Sequence, residues 1–542
     1  MNGFPPAQNR SRIFAFSEVA VIVALAAVPL FMSFPYRVNI FLSWEGAYRI
    51  SKGEIPYRDF GMPLGYMFWV IPAAFFKIFG AQMITLVKAQ VLINILSGLA
   101  FRSILKSLDV QAGIRLLSVI LYCISFSFFN FWPWYNHTVI VYEMIGLAFL
   151  TRYIFSVKKH WLLLAASALF IFFSFFTKKD GGGLALLLSM ALLAHSCFYE
   201  KNWKPFLIFS SSFIIAAFAF IAPLLQYNFG YWFNRGQPPH TARISLFDIL
   251  DEFLYSSQWI KFYLFLILLI GVARFKTWKS FIADKKNSYF LLLTLGILAE
   301  AAILQVTSYT PPDNNIFYHS FAFAFILVHL AYFLKLDFLQ MKVFLIGCLG
   351  LGLWWSSVFW KYVQRLVERS LPATAQASAN GENLVNRKTY IIHKGIEEIP
   401  FSDWTFSRLP SFRKIYMPRP TVEGIDRLML SHLPRMQAGP RVLNMTELTP
   451  LAVEMPYETE TGERIPLWHH LGVGMFNREA AEYEKKIRDG YYQLVLFEYI
   501  PSLNNFYPFR VRDSLKNHYK MIDSFPAPRR GETQGLIEVY TK

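Results

Sequence analysis

LGYMFWVIPAAFFKIF, residues 64–79, is the stretch on which the topology of this chain turns. It is apolar enough to enter a bilayer, yet it is short, holds Pro72 and carries Lys77 near its end. A helix needs about 20 apolar residues to cross a hydrocarbon core of roughly 30 Å. Around it, apolar segments recur at 13–32, 82–101, 113–131, 138–155, 161–176, 182–198, 205–225, 260–274, 288–306, 317–334 and 342–360. If 64–79 also crosses, the basic loop holding Arg102 and Lys106 lies opposite the N-terminus. If it is an interfacial or re-entrant helix, every strongly basic loop (102–115, 152–159, 201–204, 274–286 and 335–342) falls on the N-terminal side. Basic residues concentrate in cytoplasmic loops, so the second arrangement is expected: about eleven crossings with the N-terminus cytoplasmic.

Composition agrees with a membrane protein. The chain has 542 residues, 54% of them hydrophobic, 18% aromatic and only 16% charged, against about 25% charged in ordinary soluble domains. A single soluble globule is excluded. The formal charge of +17 is topological on this reading, and nucleic acid is not an expected partner because no basic helix or repeated stacking platform occurs in the polar part. Cys123, Cys197 and Cys348 all sit in apolar runs, with no disulfide framework or CxxC metal site. Arg10 and Arg12 precede the first apolar stretch, which lacks a small-residue cleavage site and reads as a retained anchor.

From Lys361 the chain turns polar and Pro-containing, so residues 1–360 read as a transmembrane domain and 361–542 as a separate aqueous α/β domain on the outer face. Strands are expected at 441–447, 492–500, 519–525 and 536–542, and helices at 476–490, stopped by Gly490, and 509–518. No glycine-rich phosphate loop follows any strand, so a lid or packing role is expected of this domain.

The same parity gathers on the outer face the loops dense in aromatic, carboxylate, His and amide residues: 34–62, 131–137, 177–183, 226–259 and 305–319. Among the charges of the first, Lys52 and Glu54 read as solvated salt-bridge partners. Glu45, flanked by Trp44 and Tyr48, and Asp59, just before an apolar helix, read as partly buried, and a functional role competes evenly there with a structural one. The aromatics Trp132, Trp134, Tyr231 and Trp232 suit sugar stacking equally well as a membrane-interface belt. No multi-ligand spacing supports a metal site; Asp313, in PPDNN, could pair with a cation, and a divalent cation stays open as a cofactor.

The first outer loop contains Gly53-Glu54-Ile55-Pro56-Tyr57-Arg58-Asp59-Phe60, followed by Pro63 to Tyr66 (PLGY) and a helix ending in Phe-Gly. With TKKDGG at 177–182 and Phe317-Tyr318-His319, this pattern resembles the GT-C superfamily of polytopic glycosyltransferases, in particular the branch of dolichyl-phosphate-mannose-protein mannosyltransferases and aminoarabinose transferases. The resemblance implies a multi-pass enzyme of the bacterial inner membrane, its C-terminal domain periplasmic, that moves a sugar from a polyprenyl-phosphate donor to a glycan, lipid or protein acceptor, with inversion. Relatives place an Asp about fourteen residues before the Gly of the motif, where this chain has Asn39, so the nearest upstream acid, Glu45, takes the base role in this reading, with Asp59 second. Such chemistry needs a carboxylate to take the acceptor proton and cations for the leaving phosphate. Lys178 and Lys179, with Arg58 and Arg235, are the phosphate candidates, each competing with a role as a membrane-surface anchor. Tyr48, Tyr57, His137 and His319 are the candidates for substrate contact, although a His beside aromatics is more often an interface residue. The rivals are a transporter or flippase of lipid-linked glycans, and a glycan polymerase or ligase of another membrane fold. Few ionisable residues lie inside the spans, Glu143 and Glu300 near helix ends being the exceptions, and no internal repeat favours a transporter.

Overall fold

The computed structural model describes residues 7–36, 40–128, 130–233, 245–307, 317–354, 399–432, 441–455, 457–467, 476–501, 507–530 and 533–542. The helices of the N-terminal part are α1 (Ala7–Ala27), α2 (Ile40–Ser51), α3 (Met67–Phe79), α4 (Met83–Ser107), α5 (Ala112–Tyr122), α6 (Tyr135–Phe155), α7 (Trp161–Phe175), α8 (Lys179–Glu200), α9 (Lys204–Ile221), α10 (Leu246–Ser256), α11 (Gln258–Arg274), α12 (Trp278–Ala283), α13 (Lys285–Thr307), α14 (Tyr318–Leu334) and α15 (Met341–Trp354). Six of them, α1, α4, α6, α8, α9 and α13, are long and apolar enough to cross a membrane, and α10 with α11 forms a seventh candidate bent by 90°. Each segment expected to cross holds a helix among its described residues, but α5, α7, α11, α14 and α15 have fewer than 18 residues, so helix length alone does not fix eleven crossings.

Contacts sort the loops onto two ends of this bundle. At one end, Glu18 of α1 is fully buried and receives Arg102 at 2.6 Å and Arg115 at 2.8 Å. A buried carboxylate needs such partners, since an uncompensated charge there is strongly destabilising. Gln111 donates to Asp337, Lys286 pairs with Asp109, and Lys159 and Lys285 both pair with Glu200, so the basic loops touch one another. At the other end, Ser43 donates to the Pro133 carbonyl, Lys179 to the Trp232 carbonyl, and Asn228 to the Glu463 carbonyl at 3.0 Å.

Helix α3 begins and ends at this second end. Tyr66, before it, packs edge-on against Phe176, while Lys77 and Gly80, at its far end, line a cleft together with Arg441 and Tyr491. Its 13 residues rise only about 20 Å, and α4 then descends from this end to the Arg102 end. The stretch 64–79 therefore turns back on its own face. Segment 34–62, read from sequence as loop, contains α2, which packs on α3 so closely that a Cβ on Gly46 would lie 2.1 Å from the Trp69 ring.

The C-terminal part holds β2 (Trp404–Phe406), β3 (Ile415–Pro418), α16 (Arg419–Arg427), β4 (Val442–Met445), α17 (Leu451–Glu454), α18 (Phe476–Arg488), β5 (Leu494–Tyr499), α19 (Phe509–His518), β6 (Lys520–Pro526) and β7 (Leu536–Thr541). Its larger sheet runs β4-β5-β7-β6, with β4 and β5 parallel and the other pairs antiparallel. Strand β5 is buried on both faces, and alternation along it divides the core. Leu494 and Leu496 join the cluster containing Phe41, Trp44 and Trp69, whereas Val495 and Phe497 pack with Ile487, Val511 and Leu515 under α18 and α19. The smaller sheet was not expected from sequence. In it β1 (Phe34–Pro35), directly after α1, pairs parallel with β3, Phe34 opposite Ile415.

Candidate active site between the first outer helix and the C-terminal sheet

Helix α2 presents Trp44, Glu45, Tyr48 and Arg49 at i, i+4 spacings, which puts them on one face. That face meets β4 and the segment 457–467, enclosing a narrow chamber of about 50 Å³ lined by Glu45, Arg49, Asn444, Thr446, Tyr457 and Glu460 among others. The volume suits a few waters or one small group. Tyr48, Tyr457, Thr459 and Glu460 line both this chamber and a neighbouring cleft of about 990 Å³.

Arg49 organises the chamber. Its Nε and Nη2 both reach Glu45 Oε1 at 3.0 Å, and its Nη1 donates to Glu54 Oε2 at 2.9 Å and to the Glu460 carbonyl at 2.9 Å. Glu45 Oε2 has no hydrogen-bond partner among the described residues. Burial raises the Glu45 pKa, and the adjacent guanidinium offsets only part of that rise. A carboxylate at a cavity wall, with one oxygen clamped, the other unbonded among the described residues and an increased proton affinity, has the attributes of a general base. Glu54 is not the solvated partner expected of it, because it is tied to Arg49 and receives the Thr459 hydroxyl. Lys52 is exposed, its ammonium 5.5 Å from the Tyr48 ring centre.

The segment GEIPYRDF is a tight turn. Tyr57 has φ of +70°, a left-handed conformation costly for a side chain with a Cβ, and Asp59 Oδ2 accepts from the Ile55 amide at 2.7 Å to hold the turn closed. Arg58 adds bonds of 2.9 and 2.7 Å to Asp59, and these first, with the Ile55 amide, lower the Asp59 pKa against the effect of burial. Tyr57 is fully buried with its hydroxyl on the Leu64 carbonyl at 2.7 Å, so it does not line the chamber or the cleft. The turn docks on the C-terminal part: the Gly462 amide donates to the Asp59 carbonyl at 2.8 Å.

Lys178 caps α8, pairs with Asp180 at 3.2 Å and lies 5.7 Å from the Tyr135 ring centre; burial lowers its pKa and Asp180 opposes the shift. Lys179 points elsewhere, to the Trp232 carbonyl and the Trp232 and Phe233 rings. Tyr135 packs on Phe68 of α3, and Pro133 accepts from Ser43 of α2, so the Lys178 region adjoins α2, although neither lysine lines the two cavities. His137 packs edge-on to Phe126, and His319 is buried with Nδ1 2.8 Å from the Tyr263 hydroxyl; neither reaches the chamber. Arg235, Asn39 and Asp313 lie outside the described residues. Among the described residues no three His, Cys, Asp or Glu side chains are grouped to hold a metal ion.

Of the residues singled out from sequence, Glu45 and Tyr48 meet at the chamber, while Arg58, Asp59 and Tyr57 form the adjoining turn. Arg49 and the C-terminal wall, Asn444, Tyr457, Thr459 and Glu460, were missed. Arg49 stands four residues after Glu45, a helical ion-pair spacing readable once α2 is recognised. The wall carries no local signal.

No protein-family model matches the sequence, and no curated protein sequence matches it. Among solved structures, the chain is similar to ArnT from Cupriavidus metallidurans bound to undecaprenyl phosphate, at 12% identity over 96% of this chain and 97% of that one, with a TM-score of 0.47. It is also similar to the arabinofuranosyltransferase AftD from Mycobacteria, at 13% identity over 98% of this chain and 40% of that one, with a TM-score of 0.49. These are likenesses in the course of the chain, and nothing about its chemistry follows from them.

Proposed function

We propose that this chain is a membrane glycosyltransferase of the GT-C type that transfers a sugar from a polyprenyl-phosphate donor to an acceptor hydroxyl at the face carrying the C-terminal domain. The observation that carries the reading is the Glu45 carboxylate, held at Oε1 by Arg49 and lining a chamber that adjoins a large cleft. In the proposed step Glu45 takes the acceptor proton as the acceptor oxygen forms a bond to the sugar C1. The bond from C1 to the phosphate oxygen breaks, and its electron pair leaves with the phosphate, so the configuration inverts. Cations near the bilayer surface offset the charge gathering on the phosphate, and Lys178, Lys179, Arg58 and Arg235 are the groups proposed for it. The wider assignment is a protein of the bacterial inner membrane with about eleven crossings, residues 1–360 transmembrane and 361–542 periplasmic.

A transporter has one observation in its favour. Glu143 of α6 and Glu300 of α13 are buried inside the bundle as a facing pair, one carboxyl able to donate to the other when protonated, and no other hydrogen-bond donor reaches them among the described residues. One experiment separates the two readings. Purified protein in nanodiscs is given radiolabelled polyprenyl-phosphate sugars and cell-envelope lipids without nucleotide sugar. A labelled product other than the donor supports the transferase; movement of label across a sealed bilayer with no new product supports the transporter.

A further inference from the structure

The cleft beside the chamber differs from it in size and charge. Its wall brings together Lys52, just after α2, Lys77 of α3, and Arg441 and Lys486 of the C-terminal part, with Glu458 and Glu460. Lys486 is neutralised by Glu460, which also accepts the Tyr492 hydroxyl at 2.6 Å. Lys52, Lys77 and Arg441 have no carboxylate partner among the described residues, and Glu458 is the one unpaired acid facing them. Arg441 lies 4.5 Å and Lys486 5.4 Å from the centre of the half-exposed Tyr491 ring. An exposed ring flanked by cations offers an apolar face for the C–H side of a sugar and charge for an anion attached to it.

From this arrangement we infer that the cleft receives the acceptor, and that the acceptor is an anionic saccharide bearing phosphate or carboxylate groups. The inference rests on Glu45 being the base, because the cleft then delivers a hydroxyl past Tyr48 into the chamber. Lys52, Lys77 and Arg441 hold the anionic groups, and Tyr491 stacks on a sugar ring. The volume of about 990 Å³ is at the upper end of the range for ligand sites, which suits more than one sugar unit.

The test measures binding to the full chain in nanodiscs of zwitterionic lipid. The probes are trigalacturonate, phosphorylated mannotriose and neutral mannotriose. At least one anionic trisaccharide is expected to bind about tenfold or more tighter than the neutral one, and whichever does so identifies carboxylate or phosphate as the anion. The double substitution K52Q/R441Q, on two exposed side chains, is expected to remove most of that preference and its salt dependence without changing the melting temperature. Equal binding of neutral and anionic probes, no binding of either anion, or anion binding indifferent to K52Q/R441Q overturns the inference. So does loss of saccharide binding when anionic lipid replaces part of the bilayer, which would make the cleft a headgroup surface. Glu45→Gln separates the two readings: it should leave probe binding intact, and if it turns over normally the base is elsewhere, so the cleft is an anionic-saccharide site but its role as the acceptor site is overturned.

Discussion

Two carboxylate–guanidinium pairs occupy the first outer segment, and their environments differ in one respect. The side chains of Glu45 and Asp59 are almost equally exposed, at 15% and 16%, but their partners are not: Arg49 is 5% exposed and Arg58 43%. Arg58, in solvent, has Asp59 as its one carboxylate partner among the described residues and lies against the Tyr227 ring, and its hydrogen bonds lower the Asp59 pKa. Arg49 is shared among Glu45, Glu54 and the Glu460 carbonyl inside the protein, so burial prevails and the Glu45 pKa rises. The same two functional groups thus make a turn clasp in one place and, in the other, a buried carboxylate of raised proton affinity that is the proposed base. The distinction comes from how much protein surrounds the pair and how many partners divide the cation.

The strongest way to break this comparison is Glu45→Gln. Turnover should fall by roughly 10²–10⁴-fold while donor binding persists, measured by single-turnover transfer and by binding of labelled donor; a near-normal rate with a dead Asp59→Asn would reverse the two roles. Because the Glu45 pKa is raised, its charged form is lost at a higher pH than for an ordinary glutamate. The acid limb of the kcat/KM profile should therefore lie above the usual carboxylate range and vanish in the Gln variant.

Lys178→Ala comes next in size. A charge-assisted contact to phosphate is worth about 1.5–3 kcal/mol, so donor affinity should fall by roughly tenfold or more, read by competition with undecaprenyl phosphate. Unchanged affinity and turnover would leave Lys178 as the partner of Asp180 alone.

Glu479 extends the comparison to a third carboxylate. It is buried against Tyr231, whose hydroxyl donates to it at 2.6 Å, and burial first raises its pKa to about 7. A raised folded-state pKa contributes stability that is full below the unfolded value and lost as pH rises through about 7. The melting temperature should drop between about pH 4.5 and 7 and level off above that, by about 2–4 °C for each kcal/mol lost. In Glu479→Gln that pH dependence should flatten; an unchanged slope would place the titrating group elsewhere.

The smallest effect is expected of Asp59→Asn. Asn can still accept the Ile55 amide, so the turn survives, and loss of the half-solvated charge pair should cost about 1 kcal/mol of stability with activity within a few-fold. Denaturation and transfer assays on the same preparation check both numbers.

Hydropathy made the bundle readable because a span must be apolar along its length, and basic loops sorted its ends because their charges meet there, as Asp109 with Lys286 and Glu200 with Lys159 and Lys285 show. Glu18 inside the first apolar stretch went unnoticed, since its two arginines come from α4 and α5. Helix α2 was hidden by its own charges and by Gly46, a residue that disfavours helices but is required here by Trp69. Its apolar positions Ile40, Phe41, Trp44, Ala47 and Tyr48 did carry the helical period. Glu45 could be chosen from its aromatic flanks, whereas Tyr457, Thr459 and Glu460 could not. They reach the chamber through tertiary contact, and no local pattern encodes that.

Arg49 lies 411 residues before the Glu460 carbonyl that it binds, and β1 waits a similar length of chain for β3. At roughly 5–20 residues per second of synthesis, the helix bearing Glu45 waits for roughly 20–80 s before its second wall exists. During that interval Glu45 has a guanidinium beside it but no roof. With Glu45 as the proposed base, a nascent chain would be unable to spend donor lipid, and competence would arrive all at once, when the last third of the polypeptide docks. Chains arrested before residue 440 should bind no acceptor and release no lipid phosphate, however well their helices are inserted.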